Sequence, residues 1–429
     1  MNKLLSIDNF FCLVVFCMPL YLFRINILGL PSNIFELITI LVIAFLILKE
    51  RKRLPEKFFD LPKLLPISII LILLGVLLSI LFNDNYRAGF GILKSWFLVP
   101  LLFSFLLYAI LESKTAVEKV FLSIYLSAAL VGLIGLVYKI SGIVTYDNRL
   151  TAFYLSPNYL SMYLSPGIFF GCYFLIKYFQ LLNFGKQARN ILFYRLVPTG
   201  TEGYKIKYFL PVFSHIVLLT FIFVPLYYTY SYGAWLAVFI SLLATAAFVA
   251  NKKRLLITGA FGMIILIIFI FQINTPKFSA LMQFSERSSF ASRAMIWDAS
   301  LLMIKQRPLA GIGPGNFQAT YLSLQNYFPP YLQWAVPEPH NLFLAFWTQA
   351  GMLGLVGFLL LLFFIFDTLW DILKNKKNAA LAAPLLGYFV YIVLHGLVDT
   401  LYWKNDLAFL FWVSVFLLVY IYIKKPLKK

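Results

Sequence analysis

Long apolar runs alternate with short polar segments along nearly the whole chain. About twelve of the runs are long enough to cross a bilayer as helices, allowing for tilt and short spans. They fall at 9–23, 34–49, 64–83, 88–111, 118–139, 155–180, 208–229, 232–250, 255–273, 341–366, 380–400 and 405–423. The pattern predicts an all-α integral membrane protein, with residues 1–429 as one polytopic domain. The first apolar run lacks an A-x-A-like cleavage site after it, so it reads as a span rather than a signal peptide.

Charge orients these spans. With the N-terminus cytoplasmic, the inner segments hold 25 of the 36 Lys and Arg residues, and the alternation holds through all twelve spans. Both termini are therefore expected inside. The stretch 274–340 falls outside, as a large extracytoplasmic loop between the ninth and tenth helices. Long segments of this kind tend to carry function.

Composition agrees with the pattern. The chain is 62% hydrophobic and 12% charged, with a mean hydropathy of +0.86, where a soluble fold carries about 25% charged residues. The net charge of +19 sits mostly in short inter-span segments, which argues for membrane topology and against nucleic acid as a partner. Cys12, Cys17 and Cys172 all lie in apolar runs, without the spacing of a metal cluster or a disulfide framework.

Within the long loop, Ser292 reads as the cap of an amphipathic helix at about 293–306, ended by Pro308 and Gly311. Arg293 and Trp297 are four residues apart and share a face. The stretch GIGPG (311–315) reads as a tight connector, with an anion nest as the weaker alternative. Arginine suits a diphosphate, because its planar fork offers paired donors and keeps its charge. Taken alone, Arg287 and Arg293 read slightly better as solvated or headgroup contacts. His340 alone would be a surface residue, but Asn341 and a span follow it at once, which places the imidazole at the mouth of the helix bundle.

These residues resemble the O-antigen ligase and polymerase superfamily. The resemblance rests on R-x5-R-x3-W (Arg287, Arg293, Trp297), RPLAGIGPGNF (307–317) and PHN (339–341) opening a helix that continues QAGMLGL. Weaker matches lie in NRLTAFYLSPNYLSMYL (148–164) and YSYGAWLA (230–237), so the likeness covers roughly 145–410.

The resemblance implies a fold similar to membrane-embedded (GT-C-like) polyprenol-dependent glycosyltransferases. It implies an inverting transfer of a glycan from an undecaprenyl (polyprenyl) diphosphate carrier to an acceptor hydroxyl, on the outer face of the bacterial cytoplasmic membrane. The acceptor would be a growing glycan, lipid A-core or a protein, and ligase and polymerase remain undivided. No cofactor or metal is implied. By the family pattern His340 would be the general base and Arg293 would stabilise the departing diphosphate with Arg287, while Asn341, Trp297 and Asp399 would support them. Asp399 reads equally well as half of a structural salt bridge. The family often has Ser-Arg-Gly at the start of the eighth span, where this chain has Ser231-Tyr232-Gly233. Lys94 and Arg149 are the candidate replacement cations. Lys94 reads equally well as snorkelling to headgroups. Asn158 is expected to cap its helix, and His215 and His395 to pack or to bond between helices. The competing reading is a twelve-span transporter or lipid-linked glycan flippase, suggested by the basic central loop 183–207. Against it, no similarity between halves is visible and few charges lie inside spans.

Overall fold

A computed structural model describes residues 7–27, 30–192, 201–248, scattered positions between 259 and 278, then 289–328, 336–376 and 378–423. Most of the expected ninth span at 255–273, and Arg287, lie outside the described residues. The first apolar run does not continue to residue 23. Helix α1 (Ile7–Phe16) ends after 10 residues, followed by a 3-10 turn, Met18–Leu22, that contains Pro19. Proline supplies no N–H and blocks the preceding turn. Two short antiparallel strands come next, β1 (Arg24–Ile27) and β2 (Leu30–Asn33), with Arg24 opposite Asn33. Among the described residues the fold is thus helical apart from this ribbon, which the apolar pattern did not reveal. Asn33 then caps α2 (Ile34–Glu50), accepting from Glu36 N–H at 2.8 Å.

The chain continues as α3 (Leu54–Phe59), α4 (Leu64–Leu81), α5 (Tyr86–Ile110), α6 (Lys114–Ile140), α7 (Pro157–Leu192), α8 (Thr201–Tyr228) and α9 (Tyr232–Phe248). After the long connecting stretch come α10 (Ser289–Gln306), α11 (Phe317–Leu324), α12 (Leu342–Lys374), α13 (Ala379–Gly396) and α14 (Asn405–Ile423). Among the described residues, eight helices are long and apolar enough to cross a membrane: α4 to α8 and α12 to α14. Helices α1 and α9 are apolar but shorter. This is a multi-pass membrane protein.

Helix α14 is apolar all round, and every residue from Asp406 to Ile421 is buried, as expected of a helix at the centre of a bundle. Helix α4 lies along α12 at very close range. A Cβ on Gly75 would stand 2.3 Å from the backbone nitrogen of Gly354, so only hydrogen at Gly75 allows this approach.

The expected span 341–366 is also interrupted. Gly351, at φ 67° and ψ −173°, breaks α12 after its first turns. The segment after α10 is stitched into that break: Ile312 N–H donates to Thr348 O at 2.7 Å, and Met352 N–H donates to Leu309 O at 3.0 Å. Trp347 Nε1 donates to Pro308 O at 3.0 Å. Backbone groups freed by the broken helix are thereby satisfied from the neighbouring segment. Arg307 donates to Asn83 Oδ1 at 2.5 Å, which ties the same connector to the end of α4.

Candidate functional site

The junctions α6–α7, α8–α9 and α13–α14 and the start of α12 gather at one end of the bundle, and α10 packs against α12 there. His340 stands immediately before α12 in a left-handed conformation, φ 48°. Its Nδ1 lies 2.9 Å from Oδ1 of Asp399, in the α13–α14 connection. Asp399 is fully buried, whereas the His340 side chain keeps 20% exposure. Burial alone would raise the Asp399 carboxyl, but the His340 ring, its hydrogen bond and Arg293 outweigh it and hold the acid well below the usual range. An ionised carboxylate only accepts, so it keeps the proton on Nδ1 and leaves the Nε2 lone pair as the basic one.

Arg293, on α10, reaches the same loop. Its Nε donates to Val398 O at 2.8 Å, and its Nη2 stands 3.8 Å from Asp399 Oδ2. Trp297, one turn on, donates from Nε1 to the His340 carbonyl at 3.3 Å. Asn341 does two tasks. Its Oδ1 caps α12 by accepting from Phe343 and Leu344 N–H, both at 3.0 Å, and its Nδ2 donates to Leu397 O at 3.0 Å. Residues separated by a hundred positions are thus joined around one carboxylate.

Arg149 comes from the α6–α7 connection. Its Nε donates to Thr229 O at 2.8 Å and its Nη2 to Asn158 Oδ1 at 2.8 Å. Burial pulls this guanidinium below its ordinary value, Asp147 opposes, and Arg293 adds to the lowering. Its charge therefore shares a field with Arg293 and Asp399. Lys94 is placed differently, with Nζ 2.9 Å from Oε1 of buried Glu36. It lies on a π-helical segment of α5, Leu93–Leu98, a helix irregularity common at functional positions. Tyr232, at the start of α9, meets Trp235 and Phe278 edge-on. Next to it, a Cβ on Gly233 would meet Val398 and His395, so α9 begins against the loop that Arg293 holds.

Two expectations are corrected, on Ser292 and Asn158. Ser292 is buried within helix α10 (Ser289–Gln306) rather than capping it. Asn158 does not cap α7: Ser156 Oγ accepts from Asn158 N–H at 3.2 Å, which leaves the Asn158 side chain to hold Arg149. Asp399 is ion-paired, as the salt-bridge reading expected, with His340 and Arg293, while the nearby Lys404 bonds Glu338 at 3.2 Å. His395 is buried and packed, as expected, and its Nδ1 bonds the Tyr391 hydroxyl of the same helix at 2.8 Å. His215 packs as expected, among Tyr125, Phe174 and Tyr178.

Sequence reasoning missed Glu338 and Thr400. Glu338 is fully buried beside the site, bonded to the Thr400 hydroxyl and to Lys404. Its signal was available: an acid bracketed by two prolines, two residues before the histidine. Among the described residues no three His, Cys, Asp or Glu side chains gather as a metal would need.

Residues 216–359 match the family model described as O-antigen ligase. That stretch of the chain is similar to O-antigen ligases. The ligase match runs from within α8 to the middle of α12, so it takes in Tyr232, Arg293 and His340. Asp399 and Arg149 stand outside the ligase match and reach the site through the fold, whereas Lys94, also outside it, pairs with Glu36. No match is found among curated proteins. The ligase match indicates a glycosyl-transferring membrane enzyme of the O-antigen ligase or polymerase type, acting in polysaccharide synthesis.

Proposed function

We propose that the protein transfers a glycan from a polyprenyl diphosphate carrier to an acceptor hydroxyl, with inversion at the anomeric carbon, at the outer face of the bacterial cytoplasmic membrane. The observation that carries this reading is the His340–Asp399 pair at 2.9 Å with Arg293 on the same carboxylate. The imidazole Nε2 takes the acceptor proton as the hydroxyl attacks, and Asp399 stabilises the imidazolium that forms. Charge meanwhile develops on the departing diphosphate, and Arg293 and Arg149 are the guanidinium groups placed to meet it. Arg149 suits this role better than Lys94, whose charge is already matched by buried Glu36. Arg287, named by the sequence for the same task, lies outside the described residues.

In this reading the twelve spans, both termini inside and the 274–340 loop outside put the site where a flipped lipid-linked glycan presents its diphosphate. Membrane lipid surrounds the bundle, and the acceptor is a glycan, lipid A-core or a protein hydroxyl.

The test is reconstitution of the full chain with a polyprenyl diphosphate-linked oligosaccharide, following release of free polyprenyl diphosphate. His340→Ala and Arg293→Ala should insert normally and release none. Wild-type release by both variants would overturn the reading. Movement of the lipid across the bilayer without bond formation would make the protein a carrier.

A further inference from the structure

The His340–Asp399 contact fixes only one point of the segment leading into α12. Glu338 supplies a second. Its side chain accepts the Thr400 hydroxyl on Oε2 and Lys404 Nζ at 3.2 Å on Oε1. Residues 338 and 340 of one segment therefore grip residues 399 and 400 of the other, side by side. Pro337 and Pro339 flank Glu338, and each ring fixes its own φ and restricts the residue before it. The segment between the two grips is stiff.

Stiffness matters because His340 sits at φ 48°, a conformation that a non-glycine residue holds only when its surroundings impose it. Its carbonyl is claimed by Trp297 and the following Asn341 by Leu397. Glu338 is an anchor on the N-terminal side. Lys404, which neutralises it, lies with Nζ 3.2 Å from the centre of the Tyr159 ring and has little freedom to move away.

We propose that Glu338 is a positioning residue for His340: held by Thr400 and Lys404, it forms the second point of a two-point clamp that keeps the imidazole aimed from Asp399. The proposal rests on the glycan-transfer reading of the site. Burial pushes the Glu338 carboxyl up, while Lys404 and then His340 pull it down, consistent with a group buried for its contacts rather than for solvation.

The experiment measures kcat and KM for the lipid-linked donor in the reconstituted full chain, using polyprenyl diphosphate release and normalising to folded protein. Glu338→Gln keeps the shape but loses the Lys404 ion pair. Thr400→Val removes only a hydroxyl and keeps the shape, so it serves if the Glu338 variant fails to fold. A misaimed base is expected to lower kcat by about 10- to 100-fold in Glu338→Gln, and by a smaller factor in Thr400→Val, with KM within about threefold in both. Unchanged kcat in the folded variants, or a loss confined to KM, would overturn the clamp. His340→Ala runs alongside. If it too turns over normally, the transfer reading fails; if it is inactive while Glu338→Gln and Thr400→Val match wild type, only the clamp fails.

Discussion

Arg149 donates its Nε–H to the carbonyl of Thr229 at 2.8 Å, three residues before Tyr232. A cation carried by the α6–α7 connection is thereby set beside the start of α9, where the family pattern has an arginine and this chain a tyrosine. Sequence spacing could not choose between Lys94 and Arg149, since both lay near the ends of spans. The Glu36 pair on Lys94 and the Thr229 bond on Arg149 separate them.

Arg149→Ala should therefore weaken donor use. Loss of a charge-assisted contact to phosphate corresponds to about 10- to 100-fold in kcat/KM. Lys94→Ala should change kcat/KM less and instead lower the Tm in detergent, because Glu36 loses its ion-pair partner. Steady-state kinetics and thermal unfolding of the two purified variants check both halves.

Asp399→Asn addresses the tautomer. The amide can donate to Nδ1, which moves the ring proton to Nε2 and removes the base. Turnover should fall by about 10²- to 10⁴-fold, with donor KM little changed. Equal kcat in wild type and variant would show that the Asp399 carboxylate does not govern the proton.

Stability should depend on pH through Glu338 and Asp399 in opposite ways. Asp399 has a depressed carboxyl, so its stabilisation is complete above its unfolded pKa and is lost only as pH falls towards the folded value. Glu338 has a raised one, so folding becomes less favourable as pH climbs from about 4.5 through its folded value. Glu338 faces Lys404, His340 and Asp399. The Tm of Glu338→Gln, scanned upward from pH 4.5, should lack that decline, and an identical slope in both proteins would contradict the assignment.

Gly351→Ala should destabilise the protein. The residue is at φ 67°, and a Cβ there would stand 2.2 Å from Leu309 O. Strain at such a position costs about 1–3 kcal/mol, and moving Leu309 would also loosen the connector docked at Thr348 and Met352. Thermal unfolding in detergent reads the loss, and an unchanged Tm would show that the break in α12 can be relaxed.

Much of the fold was legible because membrane helices announce themselves. Apolar runs such as 64–83 and 118–139 became α4 and α6 nearly as expected. The run 9–23 misled, since hydropathy does not register that Pro19 cannot continue a helix, and the ribbon β1–β2 carries no periodic signal at four residues a strand. Of the candidate site, Arg293 and His340 stood out in the sequence because their types and spacing resemble a family pattern.

The sequence alone determined a multi-pass, helix-built membrane protein with a stretch similar to O-antigen ligases, because apolar length and local motif are properties of consecutive residues. The tertiary structure alone decided which groups meet: Asp399 with His340 across 59 positions, Arg149 with Thr229 across 80, and Glu338 with Thr400 across 62. Those pairings depend on how the helix ends converge, and on whether burial leaves each acid one partner or another. No periodicity along the chain encodes that choice.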